Sequence, residues 1–447
     1  MKAAHVVIGL AYGDEGKGTV VDALVRKAGA NTVVVRFNGG GQAGHNVVTP
    51  DGRHHTFAQW GSGTFAGART HLSHFMMVHP TAALREAEVL ESKGVPDPLK
   101  ALTVDSLCLI TTPFHQAMNR LRELMRGDNR HGSCGVGVGE TVEQAQRGYA
   151  IHASDLVSAG SLRTLLKRLR DVLCEEAAEQ QVPPSCGMVA FDQVQVQKHI
   201  LFDPGIFERV VDRLTHFAKN VRITDEIPKD SEKLVFEGAQ GVLLDDYYGF
   251  TPHTTWSTCT SVNAHKLMTE WARVENTQVI GVLRAFSTRH GAGPFPSALE
   301  HPGRAQLLLA GDHNQTNMWQ SAFRIGWFDA LATRYALECD RSVDSLVLTC
   351  LDRVRVNLRE WRACIGYSNP PQKQWRIPHV VTTASHLART RDLMEAKPIL
   401  SDPLNVHTDE FLGFVEGVAS KPVCCVSEGP TAADKVWRGA YAAYNSP

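Results

Sequence analysis

Residues 6–24, VVIGLAYGDEGKGTVVDAL, set an apolar run, a glycine-rich turn and a second apolar run in immediate succession. That order constrains the fold more than any other part of the chain. A buried strand, a Gly-Lys loop and a helix closed at Gly29 form the setting in which backbone amides at a helix start can cradle a phosphate. The fit to a standard Walker loop is partial, because Gly18 stands where a Mg²⁺-ligating hydroxyl is expected. Two acids, Asp14 and Glu15, sit inside a loop meant for an anion. Lys17 can still bring charge to a phosphate, and the amides from Gly16 to Thr19 can line it. Asp14 offers a place for a hard cation, or a general base for a weakly acidic ring N–H.

The next strand, NTVVVRFN, runs straight into GGGQAGHN, so the opening reads strand, loop, helix, strand, loop. Further strands are expected at KLVFEGAQG, QVIGVLRAFSTR, SLVLTCLD and KPVCCVSEGP. Helices are expected at 80–93, in TPFHQAMNRLRELMRG with Phe114, Met118, Leu121 and Met125 on one face, and after the Asp203 cap with Pro204 in the first turn. The fold class is α/β, with a large, mainly parallel central sheet and a variant phosphate loop after the first strand. A single domain over 1–447 is expected, with a helical excursion at 151–230 and a surface connection at 360–380.

In such sheets the ligand crevice lies outside the carboxyl ends of the strands. Pooling the loops there gives residues 13–19, 38–46, 237–241, 287–294, 349–352 and 427–430. Gly13, Glu15, Gly16, Gly18, Thr19, Gly44, Asn46 and Gly429 become nucleotide-binding candidates. His45, ending a glycine loop beside the first, can stabilise a transferring phosphoryl group or protonate a leaving oxygen. Gln240 can orient a polar ligand, and Asp352 can accept two hydrogen bonds from a guanine edge.

Composition excludes some function classes. Lys+Arg (46) and Asp+Glu (47) nearly cancel, so no global basic field points to nucleic acid. No apolar run is long enough to span a membrane, and no signal peptide is indicated. The ten cysteines are dispersed without C-x-x-C spacing, which fits idle thiols in a reducing cytoplasm.

GDEGKG, AGH, FEGAQG, STRHGAGPFP, GWFDALATRYA and TCLD, in this order, resemble the adenylosuccinate synthetase family over roughly residues 4–440. The resemblance implies a GTP- and Mg²⁺-dependent, homodimeric carbon–nitrogen ligase. It moves a γ-phosphoryl group to a purine 6-oxygen and lets the amine of aspartate displace it. Asp14 would then deprotonate the purine and, with the Gly44 carbonyl, hold Mg²⁺. His45 would act as acid, Lys17 would meet the phosphates, Gln240 the purine, and Asp352 the guanine.

The chain also departs from the family. The Thr-Thr-Gly-Arg-Arg-Arg-Arg segment before Gly-Trp is NMWQSAFRIGW here, so Asn317, Met318, Trp319, Gln320, Ser321 and Phe323 surround one arginine, Arg324. If each charge-assisted hydrogen bond contributes about 1.5–3 kcal/mol, aspartate binding loses several kcal/mol. On the acceptor side, Gln42 replaces asparagine, Ser133 and Cys134 replace threonines, and Val136 replaces arginine. Arg147 stands for the arginine that reaches across a dimer, and Thr254 or Thr255 for a phosphate-binding threonine. Cys350 replaces a lysine and leaves ATP open beside GTP.

Three readings follow. One is an active ligase with a non-standard amine or acceptor. Another is an ordinary synthetase using IMP and aspartate. The third is a nucleotide-binding regulator without catalysis.

Overall fold

A computed structural model describes residues 2–29, 31–127, 132–180, 188–228, 231–271, 274–309, 323–358, 360–368, 377, 379–380 and 382–445. The candidates Asn317, Met318, Trp319, Gln320 and Ser321 lie outside the described residues.

Ten strands form one sheet, and they are numbered here in chain order. They are β1 (Lys2–Gly9), β2 (Thr32–Arg36), β3 (Arg69–Leu72), β4 (Leu102–Val104) and β5 (Arg222–Ile223). They continue as β6 (Lys233–Glu237), β7 (Val274–Arg284), β8 (Ser345–Thr349), β9 (Val423–Ser427) and β10 (Lys435–Trp437). Their order across the sheet is β10-β9-β8-β7-β1-β6-β2-β3-β4-β5. Every pairing is parallel except β9 with β10.

β1 sits between β6 and β7, and helix α1 (Lys17–Ala28) returns the chain to β2, two strands away. The continuous apolar run in β1 follows from helices covering both faces of a parallel sheet. Val6 and Ile8 enter one buried cluster with Phe37 and Phe236, while Val7 enters another with Val20, Val21 and Leu24 of α1. The strand's two-residue period sorts them.

A third cluster packs beside the sheet. It joins α2 (Pro80–Ser92), α3 (Pro113–Arg126), α5 (Ala159–Glu179), α6 (Met188–Phe202) and α7 (Pro204–Asn220), with the short α4 (Val138–Gln144) against α3. In α5 the fully buried residues Leu162, Leu166, Leu169, Leu173 and Ala177 recur at helical spacing and form its inward stripe. Each buried leucine contributes about 1.5–3 kcal/mol. Phe114, Met118 and Leu121 of α3 face the same cluster, and Asp203 caps α7 through the amides of Gly205 and Ile206.

The described part of 360–380 differs from the surface connection expected of that stretch. Glu360–Trp361 and Ala363–Tyr367 are strands, and Trp361 is fully buried, its indole N–H donating to the Ala285 carbonyl at 3.0 Å. Its residues pair with the short strands Phe328–Asp329, Pro398–Leu400 and Leu404–Asn405 rather than with the central sheet, so no local period announces them. Among the described residues no helix is long and apolar enough to cross a membrane, and all nine described cysteines are free.

Candidate active site

The loops leaving β1, β2 and β6 meet because short contacts tie them together. Asn38, after β2, donates to the Ala239 carbonyl at 3.0 Å and accepts from the Ala239 amide at 2.7 Å. Gly13 has φ +104°, and a β-carbon there would come within 3.1 Å of the Gln240 Cα. Glycine is thus required where the first loop crosses the third.

The two acids of the first loop do different work. Glu15 is turned inward and accepts the amides of Ala11 (2.9 Å) and Gly13 (2.7 Å). It also pairs with Lys17 at 2.9 Å, whose ammonium donates to the Gly13 carbonyl as well. Lys17 is only 1 % exposed, so its charge serves the loop's own conformation in this arrangement. Asp14 faces the other way, into a cavity of about 410 Å³. Burial pushes its carboxyl above the usual range, against the pull of His290 and Arg284. His290 Nε2 lies 3.9 Å from it.

Gly18 also finds its reason. A β-carbon there would fall 2.8 Å from the His45 Cβ and 2.9 Å from the Ser62 hydroxyl. The strand His45–Val48 packs onto the start of α1 and occupies the space a Walker hydroxyl would need.

His45 is buried and braced from behind. Its Nδ1 donates to Glu237 Oε1 at 2.5 Å, which leaves Nε2, without a hydrogen-bond partner, as the other ring nitrogen of a residue lining the cavity. Glu237 ends β6 and also accepts from the Ser62 amide at 2.9 Å and from the Ser62 hydroxyl. Burial would raise its carboxyl, but His45, Arg36 and Ser62 hold it down to about 2. Burial lowers the His45 pKa, with Glu237 pulling the other way. An ionised Glu237 therefore fixes the tautomer, as a buried carboxylate does for a catalytic imidazole.

Around the same cavity stand Gly13, Gln42, Gly44, Ser133, Cys134, Gln240, Thr254 and Thr255, all drawn from separate parts of the chain. The amide groups of Gln42 and Gln240 have no partner on either atom.

Other candidates are placed elsewhere. Thr19 donates to the Pro430 carbonyl at 2.8 Å, and Gly429 accepts from Lys435 at 3.0 Å. Thr349, ending β8, donates to the Glu15 carbonyl at 2.6 Å, so the loop also borders β8 and β9. There Gly16 neighbours Thr349, and Asp352 sits half-buried in the first turn of the helix Leu351–Asn357. Asn46 turns away to accept from Thr56 and His54. Arg147 pairs with Glu176. Phe323 packs on the His290 ring at 4.5 Å, and Arg324 donates to the carbonyls of Gly291 (2.7 Å) and Gly293 (3.0 Å).

Sequence reasoning passed over Glu237 and His290, although both lie within quoted motifs. A histidine two residues before the Ala-Gly-Pro turn and an acid closing a buried strand were the available signals.

Asp14 and Gly44 both line the cavity, and a carboxylate and a backbone carbonyl are the kind of hard oxygen donors that Mg²⁺ takes. The described residues hold no cluster of three metal-ligating side chains.

A mainly parallel sheet with a strand–glycine loop–helix unit, and with Asp14 and His45 on one cavity at the strand ends, defines an α/β protein of the kind that binds ligands outside its strand ends. The family model for adenylosuccinate synthetase matches residues 6–436. The adenylosuccinate synthetase of Neisseria gonorrhoeae is 32% identical over 434 residues, 95% of this chain and 96% of that protein. That of Prochlorococcus marinus is 31% identical over 448 residues, 95% of this chain and 94% of that protein. A fully ligated adenylosuccinate synthetase from Plasmodium falciparum superposes with a TM-score of 0.76 at 19% identity, over 97% of this chain and 99% of that one. A cyanophage S-2L succinoaminodeoxyadenylate synthetase, bound to dGMP and to dATP as an energy donor, gives 0.51 at 16% identity, over 100% and 99%. At those identities the two structures speak for the fold. The chain belongs to the adenylosuccinate synthetase family of carbon–nitrogen ligases.

Proposed function

We propose that the chain is a purine ligase that uses GTP to phosphorylate a 6-oxo group and lets an amine displace the phosphate. The observation that carries this reading is the convergence of Asp14, His45 and Gln240 on one cavity beside the phosphate loop. Asp14, made more basic by burial, takes the ring N–H proton of the purine, which gathers electron density on the 6-oxygen. Gln240, with both amide atoms unpartnered, orients the ring. His45 directs Nε2 at the group in transfer, and Glu237 steadies the imidazolium that forms there. Mg²⁺, held by Asp14 and Gly44, would neutralise phosphate charge. The nucleotide lies toward Thr19, Asp352 and Gly429. A homodimer in the cytoplasm is part of the same reading.

The amine on this reading is neutral or apolar. Arg324 is engaged by two backbone carbonyls and Phe323 packs against His290, so neither presents a ready carboxylate clamp. A second reading, the ordinary reaction of IMP with aspartate, is favoured by curated relatives that carry that name over 95% of this chain. Incubation with Mg²⁺, GTP or ATP, purine acceptors and an amine panel that includes aspartate separates the two. Product with a neutral amine and little with aspartate supports the first. Efficient aspartate-dependent product supports the second. The absence of any triphosphate-dependent product would overturn both.

A further inference from the structure

A turn at 427–431 borders the phosphate loop on the side of β8 and β9, and three elements hold it. Thr19, in the first turn of α1, donates to the Pro430 carbonyl at 2.8 Å. Arg355, in the helix Leu351–Asn357, pairs with Glu428. Lys435, which opens β10 opposite Ser427, donates to the carbonyls of Gly429 (3.0 Å) and Thr431 (2.7 Å). One ammonium therefore grips the turn on both sides of a proline that has no amide of its own. The helix Leu351–Asn357 carries Asp352 one turn before Arg355 and packs on β9, beside the turn. Turn and carboxylate thus share one rim.

The place is a costly one for a lysine. Lys435 is 5 % exposed, and burial lowers its ammonium to about 8, although Cys425, Asp434, Cys350 and Asp22 pull the other way. Holding two carbonyls does not by itself require a charge, since a neutral donor would serve. The charge does find a use at Asp352. Burial raises that half-buried carboxyl, and Arg353 and Lys435 both pull it down. Arg353 spends a donor on the Leu308 carbonyl at 3.1 Å. The other acids around Lys435 are Asp22, buried on α1, and Asp434, which accepts the Thr431 amide at 2.8 Å.

We propose that Lys435 is a positioning residue for the base of the nucleoside triphosphate, holding the 429–431 turn and sustaining the Asp352 carboxylate so that the site selects guanine over adenine. An ionised carboxylate accepts on both oxygens, and guanine offers two adjacent donors on one edge where adenine offers one. The proposal rests on the reading that places the triphosphate toward Thr19, Asp352 and Gly429, and adds the residue that sets its base preference.

GTP and ATP, each with Mg²⁺ and without acceptor, are titrated calorimetrically into the full chain near neutral pH. GTP is expected to bind at least ~10-fold more tightly than ATP. Lys435→Met keeps the stem but removes the donors and the charge. It is expected to weaken GTP at least ~10-fold and ATP by less than ~3-fold, with the loss in turnover falling on KM for GTP rather than on kcat. Lys435→Arg keeps donors and charge and is expected to stay within ~3-fold of the parent. In an Asp352→Asn background, Lys435→Met should cost GTP at least ~3-fold less than it does in the parent.

A merely structural clasp would weaken both triphosphates alike. Equal losses in a folded Lys435→Met variant, or no loss of either, therefore overturn the proposal, as does an unmodified chain that prefers ATP. Full additivity with Asp352→Asn overturns the link to that carboxylate. If the methionine variant does not fold by circular dichroism, Lys435→Gln, which keeps a single donor, is judged by the same ratio. Binding in this pattern without any turnover contradicts the ligase reading and leaves the role of Lys435 intact. Turnover with an unchanged base preference in the variant does the reverse, and binding of neither triphosphate overturns both.

Discussion

The two walls of the cavity use buried charge in opposite ways. On the sheet side, Glu237 and Ser62 stand behind His45, and Glu15 stands behind the phosphate loop, so that His45 and Asp14 reach the cavity with capacity to spare. On the α3–α4 side, Arg122, Glu143 and Glu176 close a network and Glu123 closes the glycine turn, so the wall is largely satisfied without a ligand. The lesson is that acids and bases lining one pocket cannot be added up as a field. What counts is which of them the fold has already spent.

Substitutions on each wall should therefore read out differently. Asp14→Asn is expected to cost about 10³-fold in turnover with the fold retained, since it removes the base, and steady-state kinetics with circular dichroism check this. Glu237→Gln should cost about 10²-fold. Removing the anion also lowers the His45 pKa. The protonated acid is then lost at lower pH, and the alkaline limb of the kcat profile moves down. An unmoved limb would show that Glu237 only fills space.

On the other wall the first effect is on stability. Glu123→Ala leaves Arg126 and the amides of Gly132 and Ser133 without their partner, at about 3 kcal/mol by urea unfolding. Glu140→Gln gives a smaller, pH-dependent effect. The Glu140 pKa is raised in the folded state to about 7. Its contribution is therefore fully present below the ordinary carboxylate pKa and is lost as pH rises toward 7. The Gln variant should gain on the parent over that window, on the order of 2 kcal/mol, and level off above it. A flat difference across pH would mean that Glu140 ionises freely.

Much of the architecture was legible because it is local. Strands such as VVIGL and LVFE are short apolar runs, and α3, α5 and α7 carry caps and stripes within their own residues. The Asp14 and His45 loops were legible because each follows a buried strand and ends in glycines. The division of labour between Asp14 and Glu15 was not, since it depends on which acid finds the amides of Ala11 and Gly13. Nor was the reason for Gly18, which is set by a strand that packs on it from residues 45–48. Arg122, Glu123 and Glu140 belong to no motif that marks them in the sequence. Only the tertiary placement of α4 against α3 turns them into a cavity wall.

The central claim is that the purine oxygen itself receives the γ-phosphoryl group. It is tested most directly by running the reaction with an acceptor carrying ¹⁸O at the 6-position and analysing the released phosphate by mass spectrometry. The account predicts one ¹⁸O in each phosphate released, and loss of that label transfer in Asp14→Asn. Phosphate that draws its fourth oxygen from water, with the label left on the purine, would contradict it.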